Sequence, residues 1–327
     1  MNKGFIPDIY AEMNQRVVPY AVEVEVTALC NVDCRHCYHV RCDGPEMTAG
    51  EITRLMNDLA ALGTFELTIS GGEPLLRPDL TGILEHAVNT AGFSVKLFSN
   101  LTLLDERMAD VLARLPLNMV ETTFLGATGA VHDAVTCCPG SFDANIRGIR
   151  LLLDRGVRVG AKTVVMRGNE NDIDAMYALA TELAIPFRHD DCLFPESGGG
   201  RSPFGLQITD DEIRRIRRRY EGAESDRPAG ICNAARSVMH IGPDGLVYPC
   251  GAFPVTAGSV RERPVGEIWR DSPLFKRMRA LTMGDYAGCA GCRYFLRCRG
   301  CVAMGMGIAK GRMYPCAIAR KRFRDIS

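Results

Sequence analysis

The feature that most limits how this chain can fold is a regular alternation of short β-rich runs with amphipathic helical stretches from Ala21 to about Tyr220. V-E-V-E-V at 22–26 alternates with period two and reads as a strand. Further strands are expected at 65–70, 93–99, 119–124, 157–166 and 185–191. Helices are expected at 48–62, 79–91, 105–115, 142–155, 171–184 and 210–220, the first opened by Thr48 and Glu51 as a capping box. Such alternation predicts a parallel sheet with helices outside, either an open sheet or a partial barrel. The active site is then expected at the C-terminal ends of the strands.

Composition narrows the function. Lys+Arg and Asp+Glu number 39 each, so nothing marks a nucleic-acid or anionic-membrane binder. The basic stretch Arg214 to Arg219 reads as a solvated helix face. No run is long enough to span a membrane and no signal sequence is evident, so a cytoplasmic location is expected. Fourteen cysteines are many for such a setting, where thiols usually bind metal or do chemistry. Four lie between Cys30 and Cys42 and seven between Cys232 and Cys316; the rest are Cys137, Cys138 and Cys192.

The turn-rich segment 195–203 and the polar segment 221–230 suggest a linker. The expected organisation is an N-terminal extension (1–20), a barrel (21–205), a linker helix (206–230) and a cysteine-rich unit (231–327). That last unit, glycine-rich and poor in long periodic runs, reads as organised by metal clusters rather than by a core of its own.

C-N-V-D-C-R-H-C-Y follows the first strand directly. Cys30, Cys34 and Cys37 can wrap one face of an iron–sulfur cube and leave a fourth iron open. Zinc is the alternative on spacing alone, with His36, His39 or Cys42 completing a site. G-G-E-P at 71–74 ends the second strand. Two glycines allow close backbone approach to a ligand, Glu73 can accept from an ammonium, and Pro74 sets the turn.

The C-x3-C-x2-C motif with this G-G-E-P turn resembles the radical S-adenosylmethionine (SAM) superfamily, over about residues 20 to 220. The resemblance implies a partial (βα)6 parallel barrel and a [4Fe–4S] cluster on Cys30, Cys34 and Cys37. It also implies SAM bound by Gly71, Gly72, Glu73 and Pro74, cleaved reductively to a 5′-deoxyadenosyl radical that abstracts a substrate hydrogen. Ser99, Asn100, Thr123 and Lys162 are candidate SAM contacts at later strand ends. Asn169, Tyr38 and the group His132, Asp133, Cys137 and Cys138 have structural readings at least as good as functional ones. An ordinary loop is expected for the last group.

The C-terminal cysteines, including C-x2-C-x5-C at 289–298, form a metal signature for which two zinc ribbons are the alternative on spacing. Gly245, in P-D-G-L-V-Y-P-C, suggests a hairpin delivering Cys250. The array is similar to the SPASM domain, a small α+β domain carrying two auxiliary iron–sulfur clusters. That likeness assigns Cys232, Cys250 and Cys301 to the first cluster and Cys289, Cys292, Cys298 and Cys316 to the second. No cysteine separates Cys232 from Cys250, so the first cluster has an open iron or borrows a ligand, with Cys192 as one candidate.

Relatives of this layout mostly modify ribosomally made peptides. The expected substrate is therefore a precursor peptide, modified by crosslinking, oxidation or decarboxylation. A separate leader-binding protein and an external one-electron reductant of flavodoxin or ferredoxin type are expected partners. A radical enzyme on a small molecule, a sugar or haem precursor, is the alternative; a non-enzymatic iron–sulfur or zinc protein is the third. Gly251 after Cys250 weakens the likeness to sulfatase maturases, which carry an acidic residue there.

Overall fold

The computed structural model describes residues 5–38, 44–194, 203–220, 232–289, 291–292 and 300–304. His39, Cys42, Cys298, Cys316 and most of the two linker segments lie outside the described residues.

Six strands alternate with helices as the periodicity predicts: β1 (Ala21–Glu25), β2 (Glu66–Ser70), β3 (Ser94–Phe98), β4 (Met119–Thr123), β5 (Val159–Val164) and β6 (Phe187–Asp190). All pair in parallel, in the order 6-5-4-3-2-1. An N-terminal helix α1 (Phe5–Arg16) precedes β1. The outer helices are α2 (Ala49–Ala61), α3 (Leu80–Glu85), α4 (Glu106–Arg114), α5 (Gly129–Thr136), α6 (Ser141–Leu153), α7 (Ile173–Glu182) and α8 (Asp210–Tyr220). The capping box of α2 forms in full: the Thr48 hydroxyl accepts from Glu51 N at 3.2 Å, and the Glu51 carboxylate accepts from Thr48 N at 2.8 Å.

Val22, Val24, Leu67, Ile69, Val95, Leu97 and Val120 point outward into one core shared with the helices. Period-two alternation sends Glu23, Glu25, Ser70, Phe98 and Glu121 to the opposite, inner face. Glu25 and Glu121 are nonetheless only 7% exposed each, so that face is enclosed as well. This is the mixed α/β partial barrel expected.

Two expectations need correction. His132 and Asp133 lie not in an ordinary loop but in helix α5, whereas Cys137 and Cys138 lie in the turn that follows it, as expected. Two turns, opening on Gly129, are too short to register as a period. The basic stretch of α8 is not wholly solvated. Arg217 is 1% exposed and holds buried Asp191 with two bonds of 2.7 Å, fastening α8 to the end of β6.

The chain returns to the sheet after the linker. β7 (Val238–Ile241) pairs in parallel with β1, and β8 (Leu246–Tyr248) and β9 (Gly258–Ser259) follow antiparallel. Gly245, at φ 82°, makes the β7–β8 turn. Helices α9 (Val265–Asp271) and α10 (Pro273–Arg279) carry Ile268, Trp269, Phe275 and Met278 into the barrel's own core. Trp269 Nε1 donates to Val17 O at 2.8 Å, and Arg261 ties to Glu51 at 2.8 Å. With the division proposed from the sequence, β7–β9 belong to the second unit while remaining bonded into the first unit's sheet. Among the described residues no helix is long and apolar enough to cross a membrane.

Candidate functional site: a cysteine loop at the strand ends

The loop after β1 is held by backbone hydrogen bonds and by side chains: Glu46 Oε1 accepts from Ala28 N at 2.8 Å, and Asn31 Nδ2 donates to Thr102 Oγ1 at 2.7 Å. Gly72 N donates to Thr27 O at 2.9 Å and Glu73 N to Leu29 O at 2.7 Å. A Cβ on Gly71 would lie 2.3 Å from Thr27 O, and one on Gly72 would lie 2.2 Å from Leu29 O. Gly71 also sits at φ 136°, where side chains are strained. The two glycines thus let the second strand end press against the backbone leading to Cys30. On the far side, Asp33 N donates to Thr136 O and Arg35 N to Val135 O, so α5 docks the cysteine loop. Cys30 and Cys37 are exposed. Cys34 is half-buried against the satellite cluster of Leu125, Val135, Met166 and Leu193.

Glu73 is fully buried. Its Oε1 accepts from Leu75 N at 2.9 Å and from the Ser99 hydroxyl at 2.8 Å; its Oε2 accepts from Asn100 N at 2.7 Å. The carboxylate therefore clamps the end of β3 to the G-G-E-P turn. Burial raises its pKa against these bonds, and Oε2 keeps acceptor capacity. Asn100 reaches back, donating from Nδ2 to Asn31 Oδ1 at 2.9 Å and lying 4.0 Å from Cys30 Sγ. Three of the expected residue groups thus converge: the cysteine loop, Gly71–Pro74 and Ser99–Asn100.

Lys162 and Thr123 meet on the same inner face in neighbouring register. Lys162 Nζ lies 3.2 Å from the centre of the Phe98 ring and 3.7 Å from Glu121 Oε2. Burial lowers its pKa while Glu121 opposes the shift. Arg188 meets the same carboxylate at 2.8 Å.

Sequence reasoning missed a second inner group. His240 on β7 is 5% exposed, with Nε2 at 3.4 Å from Glu25 and Nδ1 at 3.8 Å from Glu23. Burial alone would depress it, but the two carboxylates outweigh burial and lift it to about 10. At these separations the attraction is an ion pair rather than a good hydrogen bond. The signal was present in V-E-V-E-V: two glutamates facing away from the helices belong inside a barrel.

His132, by contrast, is buried and accepts from Leu125 N at 3.2 Å, and burial holds it neutral with a pKa of about 4. Asp133 accepts from Gly140 N, the Ser141 hydroxyl and Phe142 N, so it opens α6. Asn169 pins its own loop through Met166 N and Val164 O. Tyr38 stands between the two cysteine regions. A Cβ on Gly251, next to Cys250, would lie 3.6 Å from its hydroxyl, and its ring meets Phe194 edge-on.

The thiols suit metal. Burial, then Cys37, Cys30 and Cys137, pushes Cys34 up to about 12. Burial raises Cys250 strongly and Cys301 to about 11, with Cys232 adding to both. Such thiols stay protonated until a metal displaces the protons. Cys232, Cys250 and Cys301 thus lie close enough to act on one another's titration. Asp190, at the end of β6, also raises Cys301, and Cys192 N donates to Asp190 Oδ1 at 2.8 Å. Cys289 and Cys292 share one turn, with Cys292 N donating to Cys289 O. Buried Tyr286 has a hydroxyl with no hydrogen-bond partner where Cys232, Cys301 and Cys289 meet. An anionic sulfur ligand there would satisfy it, so the donor set fits iron–sulfur clusters.

Residues 24–180 match the radical SAM superfamily, and residues 232–301 match the SPASM iron–sulfur cluster-binding domain. The AdoMet-dependent heme synthase of Methanosarcina barkeri is 28% identical over 322 residues, covering 87% of this chain and 91% of that protein. Mycofactocin maturase MftC of Mycobacterium tuberculosis is 28% identical over 314 residues, covering 87% and 78%. The crystal structure of Streptococcus suis SuiB bound to precursor peptide SuiA superposes with a TM-score of 0.72 at 16% identity, covering 94% of this chain and 77% of that one. Motif, fold and thiol chemistry agree with these matches: this chain carries a radical SAM domain over residues 24–180 and a SPASM iron–sulfur cluster-binding domain over residues 232–301, and is an enzyme that uses S-adenosylmethionine and iron–sulfur clusters.

Proposed function

We propose that this enzyme modifies a ribosomally made precursor peptide by radical chemistry, through crosslinking, oxidation or decarboxylation. The observation that carries the reading is the inner face of the barrel. Glu23, Glu25, Glu121, Lys162, Arg188 and His240 give it acidic and basic groups on five strands. A peptide's amides and polar side chains can bond to such a lining, whereas a flat macrocycle is better served by an apolar slot. PqqA peptide cyclase of Granulibacter bethesdensis, 25% identical over 286 residues, supports the same reading.

In this scheme Cys30, Cys34 and Cys37 hold the first cluster. Gly71 to Pro74, Ser99 and Asn100 shape the SAM cradle, with Thr123 and Lys162 further along the strand ends. The bound cluster and SAM supply a 5′-deoxyadenosyl radical. The barrel's own part is to exclude water and bring one substrate hydrogen to that position. Cys232, Cys250 and Cys301 hold one auxiliary cluster; Cys289, Cys292, Cys298 and Cys316 hold the other. A flavodoxin- or ferredoxin-type donor supplies electrons, and a separate leader-binding protein delivers the peptide. So many cysteines, ten of them assigned as cluster ligands, suit a reducing, cytoplasmic setting.

A second reading, oxidation of a carboxylated haem precursor, is favoured by the heme synthase relative and by the cationic pair Lys162–Arg188. The test is mass spectrometry of the reconstituted enzyme with SAM and reductant. One arm receives peptides encoded beside the gene, the other a haem-precursor tetrapyrrole. A mass change in the peptide arm supports the first reading; a change only in the tetrapyrrole arm replaces it with the second.

A further inference from the structure

Tyr286 lies in the short turn Met283–Cys289 and is 7% exposed. Its ring packs on Gly300, where an added Cβ would come within 3.3 Å of Cδ1. Gly300 directly precedes Cys301, and Cys289 closes the turn that holds the tyrosine. Cys232, Cys289 and Cys301 all pack against the core cluster that contains this ring. Its hydroxyl is buried and has no hydrogen-bond partner among the described residues.

A buried phenol hydroxyl ordinarily finds an acceptor, because leaving one unmade forfeits its solvation. The titratable groups that act on this one are Cys232, Cys301, Cys289 and Arg236; thiols accept weakly while protonated, and a guanidinium does not accept at all. A cysteinate or bridging sulfide carries negative charge and accepts well. Two of the three neighbouring cysteines, Cys232 and Cys301, belong to the set assigned to the first auxiliary cluster.

We propose that Tyr286 Oη donates a hydrogen bond to a sulfur of the auxiliary cluster held by Cys232, Cys250 and Cys301, and so raises that cluster's reduction potential. The inference rests on that ligand assignment. A donor to a cluster sulfur stabilises the more negative, reduced state, so its removal makes the potential more negative. Tyr286 is a positioning and tuning residue; it touches the cluster's ligand shell and not the substrate.

The experiment uses full-length protein with Cys30, Cys34 and Cys37 replaced by Ala, so that only auxiliary clusters load. Two backgrounds are reconstituted anaerobically, one with Cys232 intact and one carrying Cys232→Ala. Each is titrated by EPR-monitored potentiometry with and without Tyr286→Phe. Iron content is read first: about eight irons per chain in the intact background means that both clusters are present. The expected result is a negative shift of one midpoint in the intact background and none in the Cys232→Ala background. Thermal unfolding adds a second readout: Tyr286→Phe leaves the metal-free protein as stable as before or more so, and lowers the midpoint of the loaded one. Unchanged potentials at full iron content overturn the inference alone, as does a shift that survives Cys232→Ala. Failure of the intact background to load iron overturns the ligand assignment with it.

Discussion

The two sets of cysteines are held in opposite ways. Cys30 and Cys37 are exposed on a loop tied by backbone and side-chain hydrogen bonds, and of the three cysteines only Cys34 packs on a small satellite core. Cys232, Cys250, Cys289 and Cys301 are half-buried and pack against the main core, beside helices that also cover the barrel. Under the proposed assignment, the first arrangement would hold its cluster where a cofactor and substrate can reach it. The second would embed the cluster assigned to Cys232, Cys250 and Cys301 in the fold, while Cys292 of the other set is exposed. Thiol exposure thus follows from what each loop is packed on.

The largest effects should separate chemistry from stability. Cys30→Ala or Cys37→Ala is expected to lower 5′-deoxyadenosine formation at least ~1000-fold and remove about four irons. The metal-free protein should keep its stability within about 0.5 kcal/mol, because an exposed side chain is lost. Quantified 5′-deoxyadenosine, iron content and denaturant unfolding check this together. Retained turnover would break the assignment; lost stability would break the contrast.

Gly72→Ala should cost both at once. Its methyl would have to displace the Leu29 carbonyl, at about 3 kcal/mol, and would move the loop that carries Cys30. Urea unfolding and SAM cleavage are the measurements. Arg217→Met tests a different fastening. It leaves Asp191 buried and uncompensated, with an expected loss of about 3–5 kcal/mol. The double variant Arg217→Met with Asp191→Leu should recover much of that.

Cys250→Ala sharpens the contrast from the other side. It should destabilise the metal-free protein by about 1–2 kcal/mol, since a packed side chain is lost, whereas Cys30→Ala should not.

The remaining test is a pH dependence. His240 has a folded pKa of about 10 against an ordinary 6.5. Its charge therefore stabilises the fold fully below 6.5, and that contribution is lost as pH rises towards 10. His240→Gln should flatten the fall of stability between neutral and alkaline pH, and the two proteins should converge above it. Unfolding curves measured across that range show whether they do.

The strands and helices of the barrel were legible because each is a local pattern. Val22 and Val24 alternate with glutamates, and Thr48 and Glu51 cap a helix, all within one element. The parallel pairing of β7 with β1 was not legible. It joins Val24 to Ile241, more than two hundred residues apart, through a four-residue strand with no period to read. Helix α5 was hidden by its two-turn length. Of the site, the cysteines and the G-G-E-P turn stood out by spacing. The glycines carry a second role that spacing does not reveal: a Cβ on either would strike the carbonyl of Thr27 or Leu29. The inner ionic groups were overlooked because a glutamate in an alternating strand reads as solvent-facing until the sheet is seen to curl. Cys298 and Cys316, expected to complete the second auxiliary set, lie outside the described residues.

The most direct test of the account is anaerobic reconstitution followed by SAM and dithionite, with iron, zinc and nucleoside products quantified. The account predicts about twelve irons per chain, little zinc, and 5′-deoxyadenosine with an equal amount of methionine. It further predicts that replacing Cys30, Cys34 and Cys37 by Ala abolishes the nucleoside while leaving about eight irons. Stoichiometric zinc with negligible iron, and no 5′-deoxyadenosine above a reductant-free control, would contradict it.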